Sequence, residues 1–222
     1  MSVTIFEKQY NINTIKLCLS NLNLTQIPPE ICQLVNLQYF YLHGNLNLTQ
    51  IPPEICQLVN LQYLYLHSNQ ITQICPQICQ LVNLRTLYLT DNQITQICPQ
   101  IGQLINLQHL YLGGNQIAEI CPEIGQLVNL RTLYLTDNQI TQICPQIGQL
   151  INLQHLHLGG NQISEICPEL GQLVNLLVLD LYHNHIVDPN ELVTVNMMLV
   201  RDKRIGDQTI PIKNLYLPSI II

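Results

Sequence analysis

Apolar and polar positions alternate along this chain in a pattern that changes period and then starts again. In Leu84-Arg85-Thr86-Leu87-Tyr88-Leu89 the Leu87/Leu89 alternation predicts a short strand with one buried face. Ile94 and Ile97 follow as further inward positions, Pro99 breaks any strand, and Ile101 and Leu104 suit a turn or so of helix. The next copy opens at Leu107, and the 23-residue period holds at Leu61, Leu84, Leu107, Leu130, Leu153 and Leu176. Leu37 stands 24 residues before Leu61, with one extra residue in the turn near Asn45–Leu48, and a degenerate first copy begins near Thr14. Eight strand units result.

Polar residues recur in the same frame. Asn92 heads a column with Asn45, Asn69, Asn115, Asn138, Asn161 and Asn184. A short carboxamide there can bond the backbone of a turn that has no internal partner. Leaving such groups unpaired costs about 1–3 kcal/mol each. A second ladder, Asn83, Asn106 and Asn129, closes the unit. No unit can bury Leu84, Leu87, Leu89, Ile94, Ile97, Ile101 and Leu104 by itself, so each needs a neighbour above and below. Stacking is compulsory, and the product is a curved solenoid with a parallel sheet along one face.

The pattern LxxLxLxxNxITxIPxxIxxLxN over about residues 14–187 resembles the leucine-rich repeat. Its length and its Ile-Pro-x-x-Ile segment are similar to the subclass of intracellular Ras-pathway scaffolds and Roco-type proteins. The resemblance implies an α/β fold, a right-handed horseshoe with a parallel β-sheet on the concave face and short helical or 3-10 turns on the convex face. It also implies no intrinsic catalysis and recognition of proteins through the concave sheet. Residues 1–13 are then an N-terminal cap, and 188–222 a C-terminal cap or non-repeat tail, with a short helix expected after Asp188. One departure is systematic: the first proline of Ile-Pro-Pro, Pro28 and Pro52, is cysteine at 75, 98, 121, 144 and 167.

Charged residues are only 10% of the 222, so Gln and Asn do most of the solvating. The formal charge of −6 argues against nucleic acid and anionic membranes as partners. No apolar run reaches the roughly 18 residues of a membrane span, and MSVTIFEKQY lacks a signal-peptide pattern, so a cytoplasmic protein is expected. An odd count of nine cysteines fits a reducing compartment. Column neighbours would sit near the strand spacing of about 4.8 Å, whereas bridged Cβ atoms need about 3.8 Å. The cysteines therefore read as small apolar fillers.

The outward strand positions carry the candidate site. The central column reads Cys18, Tyr41, Tyr65, Tyr88, Tyr111, Tyr134, His157 and Asp180. One flank reads Tyr39, Tyr63, Thr86, His109, Thr132, His155 and Val178; the other begins His43, His67, Thr90 and Gly113. Tyr supplies rigid contact area at low entropic cost, and these columns contain no Lys or Glu, as interface cores tend not to. A favourable tyrosine ladder along the sheet is the bland alternative. Arg85 and Arg131 are placed on the same face, with Asp91 and Asp137 at the strand ends. They read first as solvated charges offsetting each other, and alternatively as a pair of charged contacts repeating about every 9.6 Å, two strands apart.

Residues 84–129 and 130–175 differ only at Tyr111/His157, Ala118/Ser164 and Ile124/Leu170, and a surface that offers each constellation twice is a poor active site. The expected protein is a non-catalytic binding module with no cofactor and one protein partner. The rival reading is a metal site at His155, His157 and Asp180. A third is a self-associating structural protein: a monomer is expected, with edge-to-edge pairing through Ile220–Ile222 as the alternative.

Overall fold

The computed structural model describes residues 2–186 and the strand at 214–216. Each repeat contributes a three-residue strand: β3 (Lys16–Cys18), β4 (Tyr39–Tyr41), β5 (Tyr63–Tyr65), β6 (Thr86–Tyr88), β7 (His109–Tyr111), β8 (Thr132–Tyr134), β9 (His155–His157) and β10 (Val178–Asp180). They form one parallel sheet in sequence order, and Asn214–Tyr216 adds a ninth strand, β11, parallel to β10. Registers join like positions: Leu64 faces Leu87 and Tyr65 faces Tyr88. The short helix expected after Asp188 and the Ile220–Ile222 pairing edge lie outside the described residues. Ahead of the repeats, β1 (Ser2–Ile5) and β2 (Lys8–Asn11) make an antiparallel hairpin whose Val3 and Ile5 enter the common core.

Opposite the sheet, the helical expectation resolves into 3-10 turns such as Pro76–Gln80, Pro99–Gln103 and Pro122–Gln126. Proline is the first residue of each, where its missing N–H costs nothing. The residue before it explains the cysteine departure. Pro28 has φ −61 and Cys98 has φ −65, so Cys adopts the backbone that Pro would fix. The inward Leu and Ile of the repeats stack into a single core; Leu84, Leu87, Leu89, Ile94, Ile101 and Leu104 are all at 0% exposure.

The asparagine ladder wires each turn to the next repeat. Asn115 Nδ2 donates to the carbonyls of Leu89 (3.0 Å) and Leu112 (2.9 Å), while its Oδ1 accepts the Ile94 N–H at 2.9 Å. The residue before the ladder position is left-handed: Ser68, Asp91 and Asp137 take φ of 56, 55 and 53, and Gly44, Gly114 and Gly160 fill the same place. The inserted residue changes the wiring once. Asn69 Oδ1 accepts the N–H of Asn45 itself, at 2.7 Å, and Asn45 Oδ1 serves both Leu22 and Leu24.

Candidate functional site

Because each strand exposes its first and third residues, the register of the sheet turns single side chains into columns. Tyr39 stacks on Tyr63 with ring centroids 4.6 Å apart and planes 2° off parallel, and Tyr41 stacks on Tyr65 at 4.6 Å and 3°. The central ladder continues from Tyr65 to Tyr88 at 5.5 Å and from Tyr88 to Tyr111 at 3.9 Å. It then loosens: Tyr111–Tyr134 is 6.2 Å at 44°, and Tyr134–His157 is 5.0 Å at 44°. Every ring of this ladder is half-buried. Burial pushes the Tyr88 hydroxyl up to about 12, helped by the neighbouring Tyr111, and burial likewise raises Tyr65.

Lys16 pairs with Tyr39 and so heads the flanking column. A lysine does belong to this face, contrary to the expectation of none: the register that puts Cys18 in the central column puts Lys16 two residues before it on the flank. Its ammonium lies 5.1 Å from the centre of the Tyr41 ring, within cation–π range.

The other flank begins as a histidine stack, His43 on His67 at 4.5 Å. His43 Nδ1 lies 3.0 Å from the Ser20 hydroxyl, whereas His67 Nδ1 is buried with no hydrogen-bond partner among the described residues. Burial, and then His43, lower the pKa of His67. Farther along the sheet His109 Nδ1 lies 3.1 Å from Thr132 Oγ1. Its pKa is lowered by burial first and by the Arg131 charge second.

His155, His157 and Asp180 are adjacent without converging. The imidazoles lie parallel, 6.4 Å between centroids, and His157 Nδ1 is 3.7 Å from Asp180 Oδ2. Burial lowers His157 and Asp180 opposes that shift. Asp180 Oδ1 also accepts the Tyr182 N–H at 3.1 Å. Among the described residues no group of three or more His, Cys, Asp or Glu is arranged to hold a metal ion. The geometry therefore gives the metal reading no support.

Arg85 and Arg131 stand apart from the rings. Each lines a polar groove of about 270 Å³ at the entry to its strand, the first shared with Gln62, Asn83, Asn106 and Gln108. Position in the repeat did not reveal these grooves, because their walls come from the second asparagine ladder of neighbouring units.

All nine cysteines are free. Column neighbours do not bridge, but a diagonal contact that column-by-column reasoning omits does form: Cys79 Sγ and Cys98 Sγ, both buried, lie 3.8 Å apart. The contact raises the pKa of Cys79 and lowers that of Cys98. Burial pushes the Cys32, Cys121 and Cys167 thiols up to about 11.

A stacked parallel sheet, 3-10 turns on the opposite wall and an inward asparagine ladder define a leucine-rich-repeat solenoid. The chain belongs to the leucine-rich repeat family: a model of the leucine-rich repeat region matches residues 72–200, and a leucine rich repeat model matches 12–71. No curated protein matches the sequence. Among solved structures it is similar to the leucine-rich-repeat ectodomain of the plant membrane receptor kinase GASSHO1/SCHENGEN3 from Arabidopsis thaliana, in complex with CASPARIAN STRIP INTEGRITY FACTOR 2. That match has 33% identity and a TM-score of 0.73, covering 82% of this chain and 23% of that one. The plant peptide hormone receptor RGFR1 in complex with RGF2 is similar at 29% identity and a TM-score of 0.69, over 77% of this chain and 28% of that one. An internalin (inlF) from Listeria monocytogenes shares the fold, at 24% identity and a TM-score of 0.65, over 77% of this chain and 55% of its own. The chain thus spans less than a third of either plant receptor. Among the described residues no helix is long and apolar enough to cross a membrane.

Proposed function

We propose that the chain is a non-catalytic protein-binding module whose concave sheet takes a partner on the ladder Tyr41, Tyr65, Tyr88, Tyr111 and Tyr134, with Tyr39, Tyr63, His43 and His67 as its border. The observation that carries this reading is the ladder itself: half-buried rings stacked from strand to strand, each packed against its neighbours. Pre-ordered aromatic surface loses little entropy on binding. The two plant receptors to which the chain is similar were solved in complex with CASPARIAN STRIP INTEGRITY FACTOR 2 and with RGF2, and the second is a peptide hormone receptor, which supports a polypeptide ligand here. The near-identical blocks 84–129 and 130–175 weigh against catalysis, since every constellation that avoids Tyr111/His157, Ala118/Ser164 and Ile124/Leu170 occurs twice.

An intracellular setting and kinship with the Ras-pathway or Roco-type subclass are parts of the same proposal. The nine unbridged thiols support the first, and the Ile-Pro-x-x-Ile segment supports the second. The test is affinity capture from native lysate with wild type beside a folded Tyr65/Tyr88/Tyr111→Ser variant. A protein held by the wild type and lost by the variant supports the reading. Identical captures from both would reduce the tyrosines to a structural ladder.

A further inference from the structure

Between residues 17 and 200 the sequence has only two Lys or Arg side chains, Arg85 and Arg131, in a chain of net charge −6. Both are exposed, and the structure sets them in equivalent places two repeats apart, each in its own polar groove of about 270 Å³. Gln108 lines both grooves, so the two are contiguous. Neither guanidinium has a carboxylate partner among the described residues; the one such contact there is His157–Asp180.

The rest of the wall is carboxamide. Its asparagines have committed their nitrogens inward: Asn83 Nδ2 donates to Val59 O, and Asn106 Nδ2 to Val82 O, each at 2.8 Å. Asn129 and Asn152 repeat this at the second groove, also at 2.8 Å. That leaves their Oδ1 atoms without a protein donor among the described residues, and Gln108 has both ends of its amide unspent. Beside this row runs a third one, of apolar side chains left in solvent: Val82, Ile105, Val128 and Ile151 are 46–54% exposed.

Acceptors, donors, a cation and an apolar rail in parallel rows are the complement of a polypeptide backbone that carries acidic side chains. The geometry points to this lateral edge of the solenoid as a docking groove for an extended acidic peptide segment, distinct from the tyrosine face. Arg85 and Arg131 each take one carboxylate, and the carboxamides pair with the peptide groups between. The two charges lie about 9.6 Å apart, two strand spacings. A polyproline II chain advances about 9.3 Å in three residues and returns to the same side, so carboxylates at i and i+3 reach both. Either ion pair alone is a weak surface contact, and engaging both on one chain supplies the affinity.

The probe is a fluorescein-labelled Glu-Ala-Pro-Glu-Ala-Pro peptide, titrated by anisotropy at low salt against the full chain. It keeps the i, i+3 carboxylates and an extended backbone while leaving an Ala N–H between them for the carboxamides. The Gln-Ala-Pro-Gln-Ala-Pro analogue serves as control. The wild type should bind the acidic peptide at least tenfold more tightly than the Gln analogue. Arg85→Gln and Arg131→Gln should each cost about tenfold, and the double variant should bind neither peptide differently. Tyr65/Tyr88/Tyr111→Ser should leave this binding intact, which separates the groove from the sheet face. Circular dichroism of each variant establishes that it is folded; both arginines are exposed, and among the described residues neither guanidinium forms an ion pair. Wild-type binding that ignores the charge of the peptide, or survives in the double variant, would overturn the proposal. So would loss in the tyrosine variant alone, or no binding to the wild type.

Discussion

The repeats around residues 37–70 and the duplicated block 84–175 share one backbone and solve the sheet face differently. In the first, neighbouring strands place like on like: Tyr39 on Tyr63, Tyr41 on Tyr65 and His43 on His67, all within 4.6 Å and 7°. In the second, flanking columns alternate large and small, Thr86/His109/Thr132/His155 and Thr90/Gly113/Thr136/Gly159. Large residues there lean over small ones. A Cβ at Gly113 would come within 2.7 Å of the Tyr134 ring, and His109 reaches Thr132. The ring ladder tilts by 44° over the same stretch. A one-repeat period gives a self-supporting stack, whereas a two-repeat period gives interlocked pairs and a surface whose features, the arginine grooves among them, recur every second strand.

The largest effect should come from cutting what both regions share. Asn115→Leu orphans the Ile94 N–H, at about 1–3 kcal/mol for a buried group, and takes one of two carboxamide donors from each of the Leu89 and Leu112 carbonyls, which keep Asn92 and Asn138. We expect a loss of about 3 kcal/mol in a urea melt. Asn184→Leu should cost less than half of that, because its equivalent bonds are only part-buried at the end of the repeats. Equal losses at both positions would discredit the ladder as a buried network.

Next comes an exchange between the regions. The column Cys32, Cys56 and Cys79 becomes Gly102, Gly125, Gly148 and Gly171 in the later repeats. A Cβ at Gly125 would meet the backbone oxygen of Gln146 at 2.6 Å, and backbone cannot step aside as a side chain can. Gly125→Cys should therefore destabilise by about 2 kcal/mol through overpacking. Cys79→Gly should cost roughly 1 kcal/mol, from a lost buried thiol and added chain entropy. If Gly125→Cys is neutral by thermal melting, the 3-10 turns of the two regions are not packed differently.

How far these contrasts could be read from the chain depends on what repeats. The core of the repeats was legible, because its Leu and Ile sit in fixed columns and the pleat fixes their face, whereas Val3 and Ile5, which precede the repeats, belong to no column. The asparagine ladder was legible for the same reason. Diagonal and lateral relations were not. Cys79 meets Cys98 across two columns, and Arg85 finds Asn106 from the next unit, so neither follows from one column. Lys16 was legible in principle: Leu17 and Leu19 hold the frame of the first copy, and Cys18 in the central column puts Lys16 two residues earlier on the flank. The tyrosine columns were legible as columns, but the tilt at Tyr134 depends on the space above Gly113, which only packing reveals.

A smaller effect tests whether like-on-like stacking stabilises at all. A double-mutant cycle on Tyr39→Ala and Tyr63→Ala should return a coupling of about 1 kcal/mol, as offset aromatic pairs do. The same cycle on Tyr111 and Tyr134, at 6.2 Å and 44°, should return about half of that. Coupling that is equal in the two pairs would mean that ring geometry does not matter here.

The smallest effect is electrostatic and separates the two regions by cause. His67 and His109 are both held below the ordinary histidine value of 6.5 by burial, but the second contributor is His43 for the former and Arg131 for the latter. Their folded forms bind fewer protons than the unfolded chain, so the stability they contribute is present above pH 6.5. It is lost as pH falls through 6.5 toward each depressed value. Arg131→Gln removes one of the three causes at His109, leaving burial and His155, and none at His67. In a proton NMR titration of the imidazole resonances, His109 should move upward in the variant while His67 stays where it was. A shift at both histidines would mean that the charge of Arg131 acts through the sheet as a whole, and no shift at either would leave burial and the neighbouring histidines as the causes.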